Sequence, residues 1–320
     1  MEKFYLGLDL GGTYFRAVTC DADGNNTSEI TKVKLIRMYN IQSEIESNLF
    51  KLIDDVCSYQ KKGNKNLAGI GIAMAAMYDR NTGKIFSWSN NNKWNNYPIY
   101  QKLTERYNVP IVIEDDANAA ALGEKSMGAV KEVDSFVYVT ISTGIGSGIV
   151  MNNHLLTGKH GWAGDFGHIK VSDEDVVCSC GAKGCLQAMA SGSAIVKRFK
   201  KISKLKGYDI NPDIDLKDIA EMANQGIQEA VDLFKEAGTY IGNALANLVI
   251  LLDIPVIVLG GGVLNVGFLI LDSIKESFQQ SLGSRRNAKI ILSSLGDNNG
   301  LIGALSLIDE YIKSRNKFSM

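Results

Sequence analysis

The chain has 320 residues, is 45% hydrophobic and 22% charged, and carries a formal net charge of −1. That size and balance exclude a disordered or low-complexity chain and leave room for two domains. Near-neutral charge argues against a nucleic-acid partner, whose footprint is a basic stripe or tail.

Met1-Glu2-Lys3 leads straight into an alternating apolar run, without the apolar core and small-residue cleavage site of a secretion signal. From Phe4 to Cys20 the pattern reads as strand, tight turn, strand, with "LDLGGT" (Leu8–Thr13) at the turn and "DADGNN" closing the unit. A helix is expected near Glu44–Gln60, followed by buried strands at "LAGIGIAM" and "PIVIED". The segment "SFVYVTISTGIGSGIVM" (Ser135–Met151) repeats the first pattern: strand, turn of Thr, Ser and Gly, strand, polar turn. Helices through Asp215–Leu252 and the strand "IPVIVLGGG" follow. Strands mixed with helices predict α/β layers with covered sheets, and two similar modules predict a two-lobed protein with a cleft. The chain changes lobe near Asn118–Glu124, and the last helix, about Gly300–Lys313, returns to the first lobe. The expected division is 1–118 with about 300–320 as a small N-terminal lobe, and 119–299 as a larger lobe. Between Glu236 and Asp272 the only charge is Asp253, but Asn243, Asn247, Pro255 and Gly260–Gly262 interrupt any membrane-spanning helix. A cytoplasmic protein that meets neither membrane nor nucleic acid is expected.

Four elements carry chemistry. Glycine turns let backbone N–H groups approach phosphate oxygens, and Asp9 stands beside the first turn to hold Mg²⁺ directly or through water. Neither turn is a Walker loop, since no Gly-Lys-Ser/Thr follows; each alone is also ordinary hairpin geometry. In "IVIEDDANAAALGE" (Ile111–Glu124) a strand ends in three consecutive carboxylates before an alanine-rich helix. One of Asp115 and Asp116 reads as a helix N-cap, but three adjacent carboxylates disfavour one another's ionisation unless something binds there. An ionised aspartate in a cleft facing a hydroxyl is a candidate general base. In "GHIKVSDEDVVCSCGAKGC", His168, Cys178, Cys180 and Cys185 supply a closed tetrahedral zinc shell, which is a structural site. Cys20 and Cys57 stand apart and read as small core residues.

With these elements in order, the sequence resembles the ROK family of sugar kinases and sugar-responsive repressors. The resemblance rests on "DLGGT", "EDDANAAALGE", "STGIGSGIV", "GDFGH", "CSCGAKGC", "VIVLGGGV" and "GLIGA". It implies the two-lobed actin-like ATPase (ribonuclease H-like) fold, closing on ATP and a sugar. Asp116 matches the family's catalytic aspartate, which takes the proton of a sugar hydroxyl, usually the 6-hydroxyl. Gly11, Gly12, Thr13, Thr143, Gly144 and Gly146 match phosphate turns, and Gly260, Gly261 and Gly262 the adenosine-side turn. Asp115, Asp165, His168, Gln187 and Asn91 are the implied sugar contacts, with His168 also a zinc ligand. Three of these depart from the family pattern: Asp115 stands for Asn, Asp165 for Glu in "GExGH", and Gln187 for Glu in "GCLE". The Gly-x-Pro-Gly sugar loop is replaced by "GIAMAAM" (Gly71–Met77). The expectation is an ATP- and Mg²⁺-dependent hexose kinase with a structural Zn²⁺, forming a homodimer or tetramer as family members often do. A catalytically weak sugar sensor without a DNA-binding domain is the alternative. Asp9 leaves no room ahead of the first turn for the repressors' helix-turn-helix.

Overall fold

A computed structural model describes residues 2–22, 24, 28–34, 42–88 and 92–317. Two five-stranded sheets dominate among them. The first is assembled from β1 (Glu2–Leu10), β2 (Tyr14–Asp21), β3 (Thr31–Lys34), β4 (Lys65–Met74) and β7 (Ile111–Asp115), in the order β3-β2-β1-β4-β7. The second contains β8 (Phe136–Ile141), β9 (Ile145–Met151), β10 (His154–Leu155), β11 (Val256–Gly260) and β12 (Lys289–Leu292), in the order β10-β9-β8-β11-β12. In both sheets the first three strands form an antiparallel meander, and two parallel strands are then added on the other edge. The repeated strand-turn-strand pattern in the sequence is thus the visible part of a duplicated module.

Parallel additions need crossover helices. α1 (Gln42–Lys62) leads into β4, and α2 (Ile99–Tyr107) into β7. A small hairpin, β5 (Met77–Asp79) and β6 (Lys84–Ser87), sits between them; the altered segment Gly71–Met77 supplies the end of β4 and only the first residue of this hairpin. In the second module α4 (Leu186–Ala190), α5 (Gly192–Lys206), α6 (Leu216–Asn224) and α7 (Gln228–Leu252) precede β11, and α8 (Phe268–Leu282) precedes β12. The helix boundaries have local causes. Ser191 caps α5, whose C-terminus ends at Gly207 with φ 71°, and Asp215 with Asp218 forms a capping box on α6.

Each module ends in a helix that crosses between sheets. α3 (Asp116–Ser126) follows β7 but lies on β9 of the second sheet; α9 (Asn299–Lys317) follows β12 but lies on β1 and β4 of the first. Missing side chains make these contacts possible. A Cβ on Gly71 would stand 1.8 Å from the Ala304 carbonyl oxygen, and one on Gly148 would stand 2.6 Å from that of Ala117. Among the described residues two large apolar cores result, beside three smaller clusters. One lies around Phe4, Leu8, Phe15, Leu49, Ile72, Trp88 and Trp94, the other around Val139, Phe199, Phe234, Ile241, Leu259 and Ile274. Among the described residues no helix is long and apolar enough to cross a membrane.

Candidate active site

The ends of β1, β8 and β11 and the start of α9 enclose a cavity of about 370 Å³. Asp9, Asp116, Gly260, Gly261 and Gly262 line it, together with Arg16, Thr140, Ser142, Asp297 and Asn299. A second cavity of about 70 Å³ lies on the other side of the β7–α3 junction, lined by Arg80, Glu114, Asp115, Asn118, Gly146, Trp162 and Asp165 among others. The consecutive residues Asp115 and Asp116 therefore serve different cavities.

The strand end explains this split. Asp115 is the N-cap of α3: its Oδ1 accepts the Ala117 N–H at 2.9 Å and the Asn118 N–H at 3.3 Å. That satisfies orphan donors of the first turn. Asp116, the first helical residue, is not the cap, though the Ala117 and Asp116 backbone N–H groups still favour its charged form. Burial and the nearby Asp9 push its carboxyl up to about 6. It is ionised at neutral pH, yet more basic than an exposed aspartate.

Asp9 is held by a residue the sequence reading missed. Arg16 donates through Nε to Asp9 Oδ2 at 2.8 Å, adds a second bond from Nη2 to the same oxygen, and donates Nη1 to the Asp297 carbonyl at 2.6 Å. Burial pushes the Asp9 carboxyl up, and Arg16 pulls it back only in part. The N-terminus of α9 also comes close, since a Cβ on Gly300 would stand 3.0 Å from Asp9 Cγ. The signal for Arg16 was only partial: a turn centred on Gly12–Thr13, one residue beyond the glycine pair, is what makes residues 9 and 16 cross-strand partners. No local pattern marks the rest of the cavity wall. There Asn299 Nδ2 donates to Tyr138 Oη and Ser293 Oγ, and Ser293 Oγ donates to the fully buried Glu124.

Gly11, Gly12 and Thr13 form the partly exposed crest of the β1–β2 turn and are not among the lining residues of either cavity. The β8–β9 turn is fixed from behind. Ser142 O accepts the Gly192 N–H at 2.8 Å, and Thr143 O accepts the Ser193 hydroxyl at 2.6 Å. Thr143 faces a shallower groove shared with Gly262, Lys197 and Asp215. At Gly261 (φ +98°) a side chain is excluded twice, because a Cβ there would stand 2.3 Å from the Ile141 carbonyl oxygen. Gly144 is close to Gln187: a Cβ would meet its Oε1 at 2.7 Å.

Of the expected sugar contacts, Asp115 and Asp165 line the smaller cavity. Gln187 spends both ends of its amide on the protein: Oε1 accepts the Ile145 N–H at 3.2 Å and Nε2 donates to Ser179 Oγ at 3.1 Å. It is not among that cavity's lining residues. Asn91 lies outside the described residues. His168 stands between two groups, with Nδ1 3.4 Å from Cys178 Sγ and Nε2 3.7 Å from Asp165 Oδ1.

His168, Cys178, Cys180 and Cys185 place their ligand atoms within 4.8 Å of one another. Cys180 Sγ and Cys185 Sγ are 3.7 Å apart. A tetrahedral zinc with bonds of about 2.3 Å to sulfur has S···S edges of roughly 3.8 Å, so the donor set fits that ion. Burial opposes ionisation of Cys178, but hydrogen bonds from Cys180, Ser179 and Cys185 outweigh it and bring the thiol down to about 7.

Two lobes built on one repeated sheet, with acidic groups at the join, define the class. The chain belongs to the ROK family, whose model matches residues 5–311, and it has the actin-like ATPase fold of the family's kinases. A glucokinase of Streptomyces coelicolor is 31% identical over 95% of this chain and 97% of its own length. A xylose repressor of Bacillus subtilis is 29% identical over 96% of this chain and 77% of its own length. Among solved structures, a ROK family glucokinase from Streptomyces griseus in complex with glucose and AMPPNP superposes with a TM-score of 0.76. It is 32% identical, covering 95% of this chain and 98% of that one.

Proposed function

We propose that the chain is an ATP-dependent hexose kinase that transfers the γ-phosphoryl group of ATP to a sugar hydroxyl, the 6-hydroxyl of a glucose-like hexose. The observation that carries this reading is the position of Asp116, a carboxylate pushed up to about 6, at the β7–α3 junction that separates a larger, glycine-lined cavity from a smaller, acidic one. Glucokinase relatives that match nearly end to end support it.

In this reading the larger cavity takes the nucleotide and the smaller one the sugar. Asp116 accepts the hydroxyl proton as the sugar oxygen bonds to the γ-phosphorus and the bond to ADP breaks. Ser142 and the backbone of Gly260, Gly261 and Gly262, which line the larger cavity, orient the phosphates, and the turns at Gly11–Thr13 and Thr143–Gly146, which do not line it, reach them only once the lobes close. Asp9, whose Oδ2 is engaged by two Arg16 nitrogens, would hold Mg²⁺ directly or through water. The ion supplies neutralisation of phosphate charge. Arg16 keeps Asp9 charged and aimed. The division into residues 1–118 with the C-terminal helix, and 119–299, gives two bodies that close on the sugar and keep water from the reacting phosphorus. The zinc shell pins the loop that bears Asp165 and His168.

A second reading, a sugar-binding regulator with little turnover, draws on the match to xylose repressors. A coupled ADP-release assay over a hexose panel, with Asp116→Asn as control, separates the two. The kinase reading expects sugar-dependent ADP release that the control lacks. Sugar binding with no release above the control would favour the regulator.

A further inference from the structure

The smaller cavity is short of positive charge. Among the described residues, Glu114, Asp115 and Asp165 line it with a single cation, Arg80, which is ion-paired to Glu114. Asp115 spends Oδ1 on two backbone N–H groups and has no ion-pair partner among the described residues. Loss of water and the charges of Asp116 and Glu114 push its carboxyl well above the usual range. A carboxylate so placed is costly until a counterion arrives. Asp165 adds a further carboxylate, with only the His168 imidazole near it.

A second, independent observation points to a ligand. Asn118, 1% exposed, lines the same cavity; its Nδ2 donates to Glu114 Oε1, and its Oδ1 is buried without any hydrogen-bond partner. An unpaired buried acceptor is rare and calls for a donor. The wall thus sets three carboxylates and the Asn118 amide oxygen against one cation, Arg80, and the neutral donors of Tyr78 and Trp162. Nor do these carboxylates converge on a metal ion: among the described residues, the only cluster at ligand spacing is His168 with the three cysteines. The complement is an organic molecule rich in donors and carrying positive charge.

We propose that the acceptor is a hexosamine with a free amino group, its ammonium paired with Asp115 and a neighbouring donor satisfying Asn118 Oδ1. This rests on the hexose-kinase reading and names the class of sugar that site takes. A neutral hexose fills the donor role but leaves Asp115 without a counterion. An N-acetylated hexosamine has the size but not the charge. Charge-assisted hydrogen bonds exceed neutral ones in strength, so the ammonium favours binding by about ten-fold or more.

The test is calorimetric titration of the intact protein with D-glucosamine, D-glucose and N-acetyl-D-glucosamine at about pH 6.5, below the titration of an amine. Glucosamine is expected to bind about ten-fold tighter than either neutral sugar. In Asp115→Asn, where asparagine still caps α3, that ratio should collapse towards one. Glucosamine binding that is absent or no tighter than glucose in the unaltered protein overturns the proposal, as does a ratio that survives in Asp115→Asn. ADP release measured on the same sugars keeps the two readings apart. A glucosamine preference in binding without ADP release from any sugar removes the kinase reading and leaves the hexosamine assignment standing. Efficient release with glucose alone does the reverse.

Discussion

The two sheets share one strand order, but their matching hairpins carry different chemistry. In the first, the pair next to the turn's closing residues is Asp9 opposite Arg16; in the second it is Thr140 opposite Gly146. The neighbouring parallel strand differs in the same way. Ala73 of β4 lies beside Asp9, whereas Gly260 of β11 lies beside Thr140. One copy of the module therefore brings a buried ion pair to the cleft, and the other brings hydroxyls and bare backbone. A polyphosphate held through a metal ion needs both: fixed negative charge for the ion, and neutral donors that approach oxygen closely. The duplicated backbone supplies two equivalent positions, and their divergence assigns each its part.

The largest effect should come from the residue between the modules. Asp116→Asn is expected to lower sugar-dependent ADP release by roughly 10²–10⁴-fold, the usual contribution of a general base, while sugar binding persists. ADP-release kinetics alongside calorimetry checks both halves of that statement. If rate and binding fell together, Asp116 would be a contact rather than a base.

Next comes the proposed zinc site, His168 with three cysteines, which lies in the second module. Elemental analysis should find about one zinc per chain. Cys180→Ser should lose it and melt at a lower temperature, because metal-binding free energy is also folding free energy. Metal-free protein with unchanged melting would contradict this.

The exchange of α3 and α9 between the sheets gives a smaller, purely steric test. Gly71→Ala puts a methyl 1.8 Å from the Ala304 carbonyl oxygen and should cost about 1–3 kcal/mol, read by chemical denaturation. Gly226→Ala meets no atom within 4 Å and suffers only its φ of +87°, so its cost should be the lesser. Equal costs would mean that α9 gives way easily and does not clamp the first sheet.

Much of this organisation was legible in the sequence because its causes are local. Alternating apolar residues around Gly11 and Gly144 marked both hairpins, and the run Glu114–Asp116 marked a strand end with more carboxylate than a cap requires. The Cys178, Cys180 and Cys185 spacing marked the cysteines that gather with His168 in a cluster able to hold a metal ion. What escaped depends on contacts distant in the chain. Arg80 meets Glu114 across 34 residues, and Asn299 meets Tyr138 across 161. The β5–β6 hairpin escaped because its strands of three and four residues are too short for a period to show. Gln187 shows the limit of motif matching. Its position was legible, but its amide is engaged by Ile145 and Ser179, which only the packed structure reveals.

The central claim is that Asp116 works as a base whose strength is set by burial and by Asp9, and the pH dependence of kcat/KM for ADP release tests it most directly. The base must be ionised, so activity should be lost as pH falls through about 6 and be level above it. In Asp9→Asn one of the charges that raises Asp116 is gone, so the limb should move to lower pH even if the maximal rate falls. A profile flat across this range, or a limb that stays in place when Asp9 is neutralised, would contradict the account.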